Sequence, residues 1–278
     1  MELQQRIRQL REAPARWWAG EAEVVRVYFS RPRSAASDAR WLTLQAAREL
    51  GAAMRAARQT PKLFDAVEDT IDRHDLENAA RGIYEEVRHY RLLADLLEEI
   101  TGEKPRPAEL LAYAGTLTNA KERVGHPELP ALTEHIALVK KLHDKYGDLT
   151  ASVLSFFEGG GAAIFHSGSK LLEYAYVSYS NGAIERKIAA AMQIIYEDEM
   201  RHGPIHIPEV AERLTSEADF EVAKAIIHAK AKAHLRLRNE TFGYPLSEER
   251  MREIDAGIGV EPLRVDYQKI TPVSPYSA

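Results

Sequence analysis

The chain contains no cysteine, which excludes disulfides, thiolate metal sites and cysteine nucleophiles. It has no uncharged apolar run of membrane-spanning length. Its first twenty residues, MELQQRIRQLREAPARWWAG, carry charges where a secretory signal would hold an apolar stretch. A cytoplasmic protein with no membrane partner is the expectation. Charge of one sign is in no great excess: a net charge of -5 gives no basis for nucleic acid as a partner. Strand-like alternation bounded by turn residues is scarce as well. What remains is 45% apolar content spread through long stretches rich in Ala, Leu, Glu, Arg and Lys, which predicts an all-α protein. No linker divides the chain, so residues 1–278 are read as one domain.

The pattern predicts an amphipathic opening over residues 3–10, then a helix from a cap at Ser37-Asp38 to about Gln59, before Pro61. A short piece over 63–71 leads to a cap at Asp75 and a helix ending near Ile100. A Gly/Pro-punctuated connection follows over 101–130, with a helical piece near 108–113. Helices are expected over 131–146 and 149–176, with a break at Gly147-Asp148. A turn at 178–182 leads into another helix, which Pro204 should end or kink. A basic helix over 216–238 follows, and the end from Gly257 reads as extended. Long helices in pairs, with short links inside each pair and a long crossover between them, match ferritin-like connectivity.

Two stretches read alike: Glu85-Glu86-Val87-Arg88-His89 and Asp198-Glu199-Met200-Arg201-His202. Residues three apart on a helix share a face, so Glu86 pairs with His89 and Glu199 with His202. A lone Glu-x-x-His is weak, with about one expected by chance in such a chain. The longer acid-Glu-x-Arg-His form has a chance expectation of roughly one in a hundred, and it occurs twice. The bland alternative is two solvated amphipathic faces. Two Glu-x-x-His pairs on facing helices, with one carboxylate from each of two more, make a di-iron or di-manganese site. Carboxylates and neutral imidazoles suit Fe(II) and Mn(II).

Antiparallel helices place residues at equal distance from their turn on one level. Reflection of Glu199 through the 178–182 turn falls on Glu158, and reflection of Glu86 through a link near 65–69 falls on Glu49. Glu158 lies in Ser155-Phe156-Phe157-Glu158-Gly159-Gly160, where an unpaired charge amid apolar neighbours is costly. The ligand set is therefore Glu49, Glu86, His89, Glu158, Glu199 and His202, in a core of about residues 38–206. Glu85 and Asp198 can each accept the free N–H of a ligand histidine. Arg88 and Arg201 read equally well as their neighbours or as exposed side chains.

These residues resemble the ferritin-like di-iron carboxylate superfamily, whose motif is a Glu followed by (Asp/Glu)-Glu-x-Arg-His, repeated. The two five-residue forms look especially like those of acyl-carrier-protein desaturases and bacterial multicomponent monooxygenases. The resemblance covers roughly residues 41–206, with a Glu158–Glu199 separation a few residues longer than usual. It implies a four-helix bundle with a long crossover, here with extra N- and C-terminal helices. It implies two iron ions (manganese being the alternative) bridged by Glu86 and Glu199, with Glu49 and Glu158 terminal and His89 and His202 on one metal each. It implies O2-dependent hydroxylation, desaturation or N-oxygenation of a small organic substrate, free or carrier-bound. Electrons would come from a ferredoxin or flavin reductase, and a homodimer is compatible. Iron oxidation or peroxide scavenging of ferritin or rubrerythrin type is the second expectation, without a cysteine-ligated rubredoxin module.

Other residues divide between chemistry and structure. The Gly159-Gly160-Gly161 run costs a helix about 1 kcal/mol per glycine; it reads as room for O2 and substrate beside Glu158, with close helix packing or a plain helix break as the bland alternative. His206 reads as a loop or cap histidine, Tyr196 as a core tyrosine and His166 as a packed histidine. Trp17 and Trp18 read as anchors of the N-terminal segment. Lys224, Lys230, Lys232, Arg236 and Arg238 share no single face and read as a solvated basic helix.

Overall fold

The computed structural model describes residues 3–65, 73–113, 128–155, 161–205, 210 and 213–263, with side chains placed for 5–58, 76–113, 128–153, 162–200, 210 and 213–263. These residues are helical, with no β-strand among them. None of their helices is long and apolar enough to cross a membrane. In chain order they are α1 (Leu3–Glu12), α2 (Ala15–Phe29), α3 (Ala35–Asp65), α4 (Arg73–Thr101), α5 (Pro107–Tyr113) and α6 (Pro130–Tyr146). Then come α7 (Asp148–Ser155), α8 (Gly161–Ser169), α9 (Ala183–Ile205), α10 (Glu217–Thr241) and α11 (Glu248–Ala256).

Three apolar stripes explain how the long helices pair. On α3, Leu42, Ala46, Glu49 and Ala53 recur at helical spacing and are all buried. On α4 the stripe is Glu85, His89, Leu93 and Leu96, and on α9 it is Ile188, Met192, Ile195 and Glu199. Each stripe thus carries ionisable groups where an aliphatic residue would be the default. α3 packs along α4, α8 against α9, and α4 against α9. α2 lies across α8 and α10, and α10 also rests on α6 and α7. The α8–α9 contact is close: a Cβ on Gly168 would stand 1.6 Å from Met192 Sδ.

Several expected boundaries need correction, among them the cap at Asp75, since α4 already begins at Arg73. α3 continues through Pro61 to Asp65; the proline removes one i→i−4 hydrogen bond, yet the helix runs on for four more residues. The helix expected to reach residue 176 ends at Ser169 and gives way to a 3-10 turn at Leu171–Glu173. There the Tyr176 N–H leaves for the carbonyl of Phe29. α2 and α11 were not expected as helices, and α10 runs three residues past Arg238 to Thr241. Asp38 is no cap either: it sits inside the first turn of α3, where Ser34 Oγ accepts from the Ser37 N–H.

The Asp38 carboxylate instead fastens three parts of the molecule. It accepts from Tyr28 Oη at 2.7 Å, Trp41 Nε1 at 2.9 Å, Tyr179 Oη at 2.7 Å and Arg33 Nε at 3.3 Å. Arg33 also donates to Glu185 of α9 at 2.9 Å. These contacts tie α2 and the start of α3 to the entry of α9, which sets the level at which α3 and α9 face α4. Asp38→Ala leaves four donors, all but Tyr179 buried, without their acceptor. It should lower stability by about 3–5 kcal/mol in urea unfolding, and a loss under about 1 kcal/mol would contradict this role.

Candidate metal centre

Glu49 of α3, His89 of α4 and Glu199 of α9 meet in the interior, their ligand atoms all within 4.8 Å of one another. His89 Nδ1 faces Glu49 Oε2 at 3.6 Å, Glu199 Oε1 at 3.9 Å and Glu86 Oε2 at 4.0 Å. These separations exceed hydrogen-bond length. They are wider than the roughly 3.0–3.4 Å between neighbouring atoms that share an ion at about 2.1 Å each, so the side chains would draw in around a bound ion. Both His89 Nδ1 and Glu86 Oε2 are buried with no hydrogen-bond partner, a rare condition in folded proteins. An oxygen-rich set with one imidazole nitrogen, orphaned at its centre, fits a hard or borderline divalent cation.

The other nitrogen of His89 is held. Nε2 lies 3.0 Å from Asp198 Oδ2, and Arg88 Nη1 reaches the same oxygen at 3.4 Å. The acid of the second motif therefore orients the histidine of the first. With Nε2–H donated to Asp198, Nδ1 keeps its lone pair for a metal. Glu85, at the equivalent position of the first motif, is buried too. Gln45, one turn before Glu49, donates to Glu49 Oε1, and Arg238 of α10 donates to Gln45 Oε1 at 2.5 Å.

Of the six expected ligands, the structure brings Glu49, Glu86, His89 and Glu199 together. His202 lies on α9 with its side chain outside the described residues, and so does that of Arg201. Glu158, Gly159, Gly160 and His206 lie outside the described residues entirely. The reflection that pointed to Glu158 assumed a sharp turn, whereas residues 170–182 form a longer connection with two 3-10 turns. His166 and Tyr196 are partly buried and face each other with ring centroids 5.0 Å apart. Trp17 and Trp18 are buried, and Trp17 Nε1 donates to Asp255 Oδ1 of α11 at 2.9 Å.

The basic helix is solvated only in part, which corrects the sequence expectation: Lys232 is exposed, but the C-terminal end turns inward. Arg238 is 2% exposed, and Lys230 Nζ lies 2.5 Å from His135 Nε2. Arg48, Glu21 and His234, which the sequence did not single out, join them in the interior. The available signal was a basic α10 whose charges point to several sides; some had to face inward. Compared with known proteins, the chain matches no family model, no curated protein and no solved structure.

Crowding governs protonation here. Burial, then the Glu49 and Glu199 carboxylates, raises Glu86 far above the ordinary carboxyl range. Burial opposes the charged form of His89, but the Asp198 bond and the Glu49 and Glu199 charges outweigh it and raise the imidazole to about 10. Burial likewise opposes ionisation of Glu49, yet His89 and the bonds from Glu86 and Gln45 hold it low. Without metal at neutral pH, Glu86 and His89 are therefore both protonated, and a metal must displace both protons. Protons compete with the ion, so metal affinity should climb with pH up to about 10, with release of about two protons per cluster. Calorimetry in buffers of different ionisation enthalpy counts them, and pH-independent affinity would contradict the assignment. Asp198→Asn should weaken metal binding about 10–100-fold through loss of histidine orientation, read by competition with a chromogenic chelator.

Proposed function

We propose that this chain is a ferritin-like di-iron carboxylate protein that uses O2 to oxidise an organic substrate. The observation that carries this reading is the convergence of Glu49, Glu86, His89 and Glu199 with Nδ1 of His89 turned into the carboxylates. Two repeated motifs meeting through the Asp198–His89 bond support it further. Iron bound there supplies the O2 and electron-transfer chemistry that side chains lack. The chain's own residues bind, orient and exclude water. Asp198 fixes the His89 tautomer, Gln45 holds one oxygen of Glu49, and Glu86 yields its proton as the metal enters. Glu158 and His202 complete the proposed set on the second metal. Manganese fits the same donors.

Helices outside the α3, α4, α8, α9 core favour substrate oxidation over iron storage: α2 and α10 build a charged interior beside Glu49. The glycine run beside Glu158 points the same way. A ferredoxin or flavin reductase is the proposed electron source. The test is an anaerobic Fe(II) titration followed by O2, counting iron oxidised per chain. Saturation at about two irons is expected, with both Glu86→Ala and Glu199→Ala losing two-metal loading. Oxidation far beyond two irons per chain would replace this reading with the ferritin-type one. Unchanged iron content in both variants would remove the site.

A further inference from the structure

Beside the metal centre lies a second buried cluster, with more cations than acids. Its middle is Glu21 of α2, which is 0% exposed. His234 Nδ1 lies 2.8 Å from Glu21 Oε1, and Arg238 Nε stands 3.7 Å from Oε2. Arg48 Nη2 bonds the other nitrogen of His234 at 2.9 Å. The His135 ring, bonded to Lys230, is 5.8 Å from the His234 ring. Three helices, α2, α3 and α10, therefore direct two guanidiniums, an ammonium and a single carboxyl into one region, with α6 adding His135.

The hydrogen-bond account of this cluster does not close. Arg48 Nη1, Arg238 Nε and Glu21 Oε2 are all buried with no hydrogen-bond partner. A buried polar group without a partner costs about 1–3 kcal/mol, and more when charged. Arg48 Nη1 has no acceptor, and Arg238 Nε has only its ion-pair partner Glu21 Oε2 at 3.7 Å, beyond hydrogen-bond length. Burial raises the Glu21 carboxyl to about 8, against the pull of Arg238, Arg48 and Lys230. In its neutral form Glu21 is a third donor rather than a competing anion. Glu49 and Glu199 offer Arg238 some countercharge, but in the loaded centre those two carboxylates serve the metals. That last step rests on the proposed metal centre; the unpaired donors do not.

We propose that Arg48 and Arg238 form an anchor for the carboxylate group of a small organic acid, which places its carbon chain beside the metal centre. A planar carboxylate accepts from guanidinium N–H groups with good directionality, and such charge-assisted bonds are the strong ones. The anchor is joined to the centre by a single side chain: Arg238 bonds Gln45, and Gln45 bonds the candidate ligand Glu49. An acid held there is oriented by the protein at one end and presents C–H bonds at the other. Substrates of this class are small monocarboxylates, which enter uncoupled to a carrier because the carboxyl itself is the handle.

The test uses the full chain, with Mn(II) and without metal, titrated calorimetrically with benzoate and hexanoate. Benzamide, hexanol and inorganic phosphate serve as comparisons, and metal content is measured separately on the same samples. Saturable binding of one carboxylate per chain is expected, with the neutral analogues silent. Arg48→Gln and Arg238→Gln should each weaken it about tenfold or more, while Arg250→Gln, at the half-buried Glu23 ion pair away from the cluster, leaves it unchanged. Arg48→Lys should restore part of the affinity, which a merely unfolded variant would not. Carboxylates that fail to bind, bind equally to the arginine variants, or bind only through the metal would overturn the anchor. So would binding of phosphate in their place. Failure to take up metal, with arginine-dependent carboxylate binding intact, would count against the metal centre alone.

Discussion

The Asp198–His89 hydrogen bond ties the two helical hairpins together at the point where charge is most expensive to bury. It fixes one imidazole nitrogen from α9, and so commits the other to the carboxylates of α3, α4 and α9. Three acids around one imidazole, away from water, repel each other strongly and lose hydration. Two ways of relieving this are open to the chain. Protons can neutralise Glu86 and charge His89, or divalent ions can take the space between them. The first describes the protein without metal, and the second is the state that the ligand geometry suits.

The polar interior continues beyond those acids in layers. Gln45 stands behind Glu49, Arg238 behind Gln45, and Glu21, His234 and Arg48 behind Arg238. Each layer alternates donor and acceptor until the unpaired guanidinium nitrogens are reached. A core built only for stability would replace most of these groups with aliphatic side chains, since buried ion pairs seldom repay their desolvation. The Asp38 network shows what a satisfied version looks like in the same protein: one carboxylate with four donors, all accounted for. The Arg48–Arg238 cluster differs: its acceptors leave Arg48 Nη1 and Arg238 Nε without a hydrogen bond.

Much of the centre was legible because helical spacing is local. Three-residue periodicity put Glu86 with His89 on one face, and equal distance from a link put Glu49 opposite Glu86. Asp198 could be named as an acceptor, but which histidine it serves depends on how α4 meets α9. The inner cluster was illegible for a related reason. Glu21 sits on a helix whose sequence offers no side-chain cap, and Arg238 looks in sequence like one more charge on a basic helix. Only the packing of α2 against α10, and of α10 against α3, turns them inward. Boundaries failed where tertiary bonds competed with helix propensity, as where Tyr176 pairs with Phe29 instead of extending α8.

The most direct measurement is anomalous diffraction at the iron edge from crystals grown anaerobically with Fe(II). The account predicts two peaks roughly 3.5–4 Å apart, one of them bound by His89 Nδ1 and Glu49, with Nε2 of His89 still on Asp198. Iron bound elsewhere, or a His89 Nδ1 hydrogen-bonded to a carboxylate with no peak beside it, would contradict the central claim.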